Sequence, residues 1–534
     1  MVARFLTLHH PAAARRFHDS GLWRAETLYG RVLAQATARP GAPAARDGRH
    51  ALSWGALLAW VDGVAAAFRT LGLAPGDRVS LWMPNRLEAV VAFLACSREG
   101  LACNPSLHRT YTADEVASLL GLLEARVLVT DAERSPDPVA RFGGLPGMRA
   151  VWTAETFPQP GEAPEAPPPD PDGVSYLAFT SGTTGAPKCV MHSDNTLLAN
   201  ARDLVRDWSH GPAAILLTLS PLSHHIAWVA VAQWLVAGCT LVLDDPPPGQ
   251  GRLDWLLESG ASYVMGVPTH AMDILAEQRE RALPRLGAVR TFYMAGSPIP
   301  PALAEAFVAQ GIRPQNVYGM TENSSHQYTH PDDPTEVIVA TCGRGGRAYE
   351  AAVFDPNDRD RPLPPGEVGE IGGRGAALML GYLGNQSATE ASFNRAGWFM
   401  SGDLGVMDAD GNLAVVGRLK DLIIRGGHNI HPARIEALAI RHPGVARAAA
   451  FPVADERLGE RVCLAIMGDA DPRALLDHLA AQGLSVYDMP ERFVRLDAFP
   501  LTASGKILKR ELAAMAARGD ITPQPVRHVR KEVA

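Results

Sequence analysis

The sequence predicts an α/β protein: a large amino-terminal domain of two αβ subdomains with parallel sheets and a β-barrel-like part, then a small α+β domain. Three observations predict it. Short apolar stretches (SYLAF, AILLTL, SYVMGV, VRTFYMA) alternate with helix-period stretches, the rhythm of parallel strands joined by helical crossovers. After about residue 335 the pattern changes to short strands punctuated by glycine and proline, ending in the hairpin-like MDADGNLAVVG with Asp410 and Gly411 in its turn. The length of 534 residues exceeds what a single core supports.

Each element has a local reason. The helix-period run LSWGALLAWVDGVAAAFRTLG leads into the strand DRVSLWM, so the first 160 residues share the αβ rhythm. The proline-rich EAPEAPPPDPDG near 163–173 cannot pack and reads as a surface connection between two αβ halves. Ile226–Leu243 is long enough to span a membrane, but Gln233, Gly238 and Thr240 interrupt it. A buried helix to Ala237, a glycine stop and a strand TLVL account for it better. The β-rich part covers about 335–417, and the domain boundary is placed between 419 and 420, giving domains 1–419 and 420–534.

Composition excludes several function classes. The 50 basic and 57 acidic side chains leave a net charge of −7, with no polybasic tract to meet nucleic acid. The six cysteines form no C-x-x-C pair, so neither a disulfide framework nor a zinc cluster is indicated, and a reduced, cytoplasmic setting is expected. The first residues carry arginine without the apolar run of a signal peptide, so no export is expected.

The most informative stretch is TSGTTGAPK, residues 180–188, after the apolar YLAF. Gly182 and Gly185 permit close backbone approach, Thr180, Ser181, Thr183 and Thr184 add hydroxyl donors, and Lys188 adds a cation, a combination suited to polyphosphate. An ordinary strand-ending turn is the plainer alternative. It is not the G-x-x-x-x-G-K-[ST] loop, since Pro187 precedes the lysine and Cys189 follows it. Downstream come MAGSPIP (294–300), NVYGMTE (316–322), GEIGGRGAALMLGY (369–382), GWFMSGD (397–403), GRLKDLIIRGGHNIHPARIE (417–436) and PLTASGKILKREL (500–512).

In this order the motifs resemble those of the AMP-forming acyl-CoA synthetases and their adenylate-forming relatives, the peptide-synthetase adenylation domains and luciferases. The resemblance covers 175–512 and implies two steps. A carboxylate attacks the α-phosphate of ATP, leaving an acyl adenylate and pyrophosphate; a thiol, that of coenzyme A, then displaces AMP. It further implies that Glu322 holds Mg2+, Thr321 reaches the α-phosphate, and Tyr318 stacks on adenine with Gly296, Ser297, Pro298, Asn316, Val317 and Gly319 around it. Asp403 would accept from the ribose hydroxyls, with Arg418 beside ribose and phosphate; a surface salt bridge is the alternative for either. Lys506 would neutralise charge during adenylation. By the same likeness the carboxy-terminal domain is mobile and swivels about Lys420, carrying Gly426 and Gly427 to the pantetheine channel, although a turn also explains paired glycines.

For the acid pocket the sequence offers Ser223, His225, Trp228, Met265, Gly266, Val267, Ala295, Met320 and Asn323, from their closeness to the motifs. Adjacent His224 and His225 point apart, which argues against a metal site there. With no lysine, arginine or aspartate in the set, a neutral apolar acid is expected: carbocyclic, aryl or medium-chain. Arg434 stands where a glutamate is usual, and QSAT at 386–389 lacks a common proline. The leading expectation is an acid:CoA ligase. A stand-alone adenylating enzyme that loads a carrier protein and an inactive nucleotide-binding regulator are the alternatives. The expected partner is a small-molecule carboxylic acid, with no membrane span, and homodimer formation is compatible with it.

Overall fold

The computed structural model describes residues 11–165, 168–180, 187–501 and 507–528. Two largely parallel sheets dominate the first two thirds. The eight-stranded sheet runs Ser324–Tyr328, Arg313–Met320, Thr291–Ala295, Tyr263–Gly266, Ile215–Thr218, Thr240–Leu243, Pro43–Arg46 and Ala51–Ser53, antiparallel only at its two outermost pairs. The six-stranded sheet runs Ala150–Trp152, Val127–Thr130, Arg78–Trp82, Ala102–Asn104, Val174–Thr180 and Lys188–Ser193, antiparallel only in the last pair. The helices Trp54–Thr70, Leu87–Glu99 and His225–Ala237 share one apolar core with strands of both sheets.

The proline-rich connection does not separate the two αβ halves as expected. Val174–Thr180, which follows it, pairs in parallel with Ala102–Asn104 of the six-stranded sheet, whereas Pro43–Arg46 crosses over to pair with Thr240–Leu243. Packing decides both. Val174–Thr180 is buried along almost its whole length, and the Trp54 ring stacks on Trp234 at 5.2 Å beside the crossing strand.

The membrane-length stretch resolves as read: helix His225–Ala237 ends at Gly238 in the left-handed region, and Thr240–Leu243 follows as a strand. Among the described residues no helix is long and apolar enough to cross a membrane. The β-rich part is a five-stranded antiparallel sheet, Asp358–Pro362, Tyr349–Asp355, Val368–Gly375, Phe399–Met407 and Leu413–Arg418. It is open rather than barrel-like, with the first and last strands as edges. The turn of residues 408–412 closes its last hairpin, where Asp408 accepts from the backbone of Asp410 and Asn412. A separate sheet begins at Ile423–Arg425, and its apolar clusters draw only on residues from Ile423 onward among those described.

Candidate active site

Parallel strands deliver their carboxyl ends to one edge, where open α/β sheets bind ligands. Thr291–Ala295 and Arg313–Met320 are paired with Ala295 opposite Val317, so the turn Gly296–Pro298 and the segment Tyr318–Met320 emerge side by side. The antiparallel sheet brings Asp403 opposite Arg418. Between them lies a cavity of about 290 Å3 lined by Gly296, Ser297, Pro298, Asn316, Val317, Tyr318, Gly319, Asp403 and Arg418, nine of the residues expected around the nucleotide. Asp421, Pro432, Ala433 and Lys509 close it from the carboxy-terminal part.

Asp403 organises this cavity. One carboxylate oxygen takes the Arg418 Nε hydrogen at 3.0 Å and the other takes the Tyr318 hydroxyl at 2.9 Å. Burial, then the Asp403 charge, hold the Tyr318 phenol well above its ordinary range, so it stays a donor. Gly319 is needed as glycine, because a Cβ there would overlap the Ser324 carbonyl oxygen. Asn316 builds the wall: its amide donates to the carbonyls of Ile338 and Thr341, both at 2.8 Å, which ties down the segment lining the cavity through Val339–Cys342.

Thr180 and Lys188, the described residues on either side of the expected phosphate loop, pair across two antiparallel strands. Ser181, Gly182, Thr183, Thr184 and Gly185 lie outside the described residues. Glu322 accepts the Tyr382 hydroxyl at 2.9 Å, and the Lys188 ammonium sits 4.6 Å from the Tyr382 ring centroid. Burial raises the Glu322 carboxyl above its ordinary value, with Tyr382 and Lys188 opposing, so a cation beside it would favour the charged form. The Thr321 carbonyl is held by His192 Nε2 at 2.6 Å.

Of the residues expected to line an acid pocket, His225 opens its helix with Nδ1 3.0 Å from the Tyr176 hydroxyl and Nε2 2.9 Å from the Ser324 hydroxyl. His192 stacks on it at 5.3 Å. Burial pushes His192 down to about 4 and His225 well below its usual value, so both rings are neutral. Asn323 accepts from the Met320 amide and donates to the Tyr349 hydroxyl, which fixes the turn after Met320. Gly266 ends one parallel strand, Val267 caps the helix Pro268–Glu280 that follows it, and Ala295 ends the next strand. Ser223 contacts His108 Nδ1 at 3.1 Å. Trp228 and Met265 lie in the main core, Trp228 packing on Phe93 at 4.3 Å. Their apolar side chains are drawn into the interior between the sheets.

Lys420 sits in the turn Leu419–Asp421 that joins the antiparallel sheet to the last one, its amine pulled down by burial. Gly426 and Gly427 form a two-residue hairpin between Arg425 and His428, with φ of 57° and 84°. Positive φ at both positions is the turn type that favours paired glycine. Lys506 lies outside the described residues. Arg434 donates to the Gly483 carbonyl within the carboxy-terminal part.

Sequence reasoning missed Tyr176, His192, Ser324, Tyr382 and Lys509. Lys509 pairs with Glu436 at 2.7 Å on the cavity wall. Tyr382 carried a signal as the last residue of GEIGGRGAALMLGY, and Lys509 as part of PLTASGKILKREL.

Two family models match the chain, one described as AMP-binding enzyme over residues 32–383 and one as AMP-binding enzyme C-terminal domain over 434–506. The sulfoacetate–CoA ligase of Cupriavidus necator is 32% identical over 508 residues, which is 91% of this chain and 97% of that protein. A feruloyl-CoA synthase of an Amycolatopsis species is 33% identical over 478 residues, covering 89% and 96%. Among solved structures, ATP-bound MatB from Rhodopseudomonas palustris aligns with a TM-score of 0.83 at 27% identity, covering 92% of this chain and 98% of that one.

Proposed function

This chain belongs to the AMP-binding enzyme family, and from that premise we propose that it is an acid–thiol ligase joining a small carboxylic acid to coenzyme A through an acyl adenylate. The observation that carries the reading is the cavity in which Tyr318, Asp403 and Arg418 meet the turn Gly296–Pro298. A ring, a carboxylate with spare acceptor sites and a cation suit adenine, ribose and phosphate in turn.

In this reading Thr180, Lys188 and the loop between them hold the β- and γ-phosphates. Thr321 steadies the α-phosphate from a backbone anchored by His192. A single hard carboxylate steadied by Tyr382 fits Mg2+, which binds through one or two carboxylates and keeps several waters. Held by Glu322, the ion would offset the charge of the departing pyrophosphate. Lys506 supplies positive charge where carboxylate and α-phosphate meet, and a swivel about Lys420 then replaces it with the Gly426–Gly427 hairpin for the thiol step. Catalysis on this account is positioning plus electrostatics.

For the acid, the neutral His192–His225 pair, Val267 and Ala295 support an uncharged apolar group, carbocyclic, aryl or medium-chain. The two relatives named above act on different acids, so the individual substrate does not carry over by likeness. The test is a panel of carboxylic acids assayed for AMP release with and without coenzyme A or a loaded carrier protein. AMP and acyl-CoA formed together from an apolar acid is the expected result. ATP cleavage with no acid at all would overturn the reading, and turnover only with the carrier would replace coenzyme A as acceptor.

A further inference from the structure

Asp47, His50 and Glu88, none of which lines the nucleotide cavity, form a cluster in which one potential ligand atom from each lies within 4.8 Å of the others. Asp47 follows the crossing strand Pro43–Arg46 and closes its turn: one oxygen accepts from the amides of Arg49 and His50 at 2.9 and 2.7 Å. Its other oxygen accepts from the Leu87 amide at 2.8 Å, at the start of helix Leu87–Glu99. Glu88 is the next residue of that helix. The cluster thus joins a hairpin of the eight-stranded sheet to a crossover helix of the six-stranded one.

Asp47 and Glu88 are each only 3% exposed. Glu88 Oε2 and His50 Nδ1 are buried without a hydrogen-bond partner, and His50 Nδ1 faces Asp47 Oδ1 at 3.5 Å. Arg86, two residues before Glu88, pairs with Asp131 and Glu133 but leaves its buried Nε without a partner; burial raises the Glu88 carboxyl, and the charges of His50 and Arg86 oppose that only in part. Two carboxylates removed from water with an unpartnered oxygen are costly unless a positive charge joins them. One imidazole nitrogen and two carboxylate oxygens are a three-residue ligand set of the kind zinc accepts with water in the remaining position. Donors at the outer limit of this spacing lie about 2.8 Å from their common centre, so each would move inward by about 0.6–0.8 Å to make bonds of about 2.0–2.2 Å.

We propose that Asp47, His50 and Glu88 bind one divalent transition-metal cation of the Zn2+ class, which clamps the hairpin to the helix. The site is separate from the catalytic Mg2+ and independent of the substrate assignment. The test uses full-length, chelator-treated protein without nucleotide, titrated with Co2+ as a spectroscopic probe and then with Zn2+. One Co2+ per chain is expected, with visible d–d absorption abolished by Zn2+ and a higher Tm on binding. Glu88→Gln and His50→Gln should each weaken Co2+ binding about 10–100-fold, while Glu322→Gln leaves it unchanged. ATP–pyrophosphate exchange by Glu88→Gln verifies that this variant is folded. Absence of stoichiometric Co2+ binding to the unaltered chain would overturn the proposal. Equal Co2+ affinity in the unaltered chain and both variants would overturn it as well.

Discussion

Replacing Asp403 by asparagine tests the nucleotide assignment most directly. The carboxylate has about four acceptor positions, of which Arg418 and Tyr318 take two, leaving two for the ribose hydroxyls. Asparagine keeps one accepting oxygen. Arg418 donates to it, so the amide NH2 turns toward Tyr318 and one ribose hydroxyl, which lose their charged acceptor. Loss of one charge-assisted hydrogen bond costs about 1.5–3 kcal/mol, or roughly 10–150-fold in kcat/KM for ATP. The assay is acid-dependent ATP–pyrophosphate exchange with ATP and with its 2′- and 3′-deoxy analogues. One deoxy analogue should lose about as much in the unaltered enzyme as ATP loses in Asp403→Asn, and the variant should discriminate against that analogue far less. If Asp403→Asn still favours ATP over both analogues by the full factor, Asp403 does not hold the ribose.

Three further outcomes are expected. Tyr382→Phe removes the hydroxyl that orients Glu322 and should raise the Mg2+ needed for half-maximal exchange about 10–100-fold; an unchanged Mg2+ curve would remove Glu322 from the metal assignment. Lys506→Ala should slow acid-dependent exchange about 10²–10³-fold while thiolation of a preformed acyl adenylate continues, and equal loss of both steps contradicts the swivel. His192, held near 4 by burial, is neutral in the folded chain while its unfolded counterpart takes up a proton below about 6.5. Its contribution of about 3 kcal/mol is therefore present above pH 6.5 and lost as pH falls toward 4. Chemical denaturation at pH 7.5 and 5 should show a drop that His192→Gln reduces.

Local signals carried much of this protein. Asp403 and Arg418 were singled out by the motifs that carry the resemblance, and the hairpin whose turn was read at Asp410 and Gly411 brings them face to face. The glycine stop that divides Ile226–Leu243 was legible within its own stretch. What stayed hidden depends on distance along the chain. Tyr176, His192 and Ser324 meet His225, which the sequence did single out, only because two sheets and a helix converge, and no short pattern announces that meeting. Trp228 and Met265 stand beside recognisable motifs, yet an apolar side chain reads alike whether it faces a pocket or the core. The exchange of strands between the sheets was equally silent, since Pro43–Arg46 and Val174–Thr180 pair through backbone groups that every residue type supplies.

That exchange governs how the molecule responds to being cut. A protease nick in the proline-rich connection would yield two fragments, each still laced through the other by a borrowed strand. Neither fragment could bury its share of the common core alone, so each would expose sticky sheet edges until it found its complement. Recovery of ligase activity from separately produced pieces would then rise with their concentration.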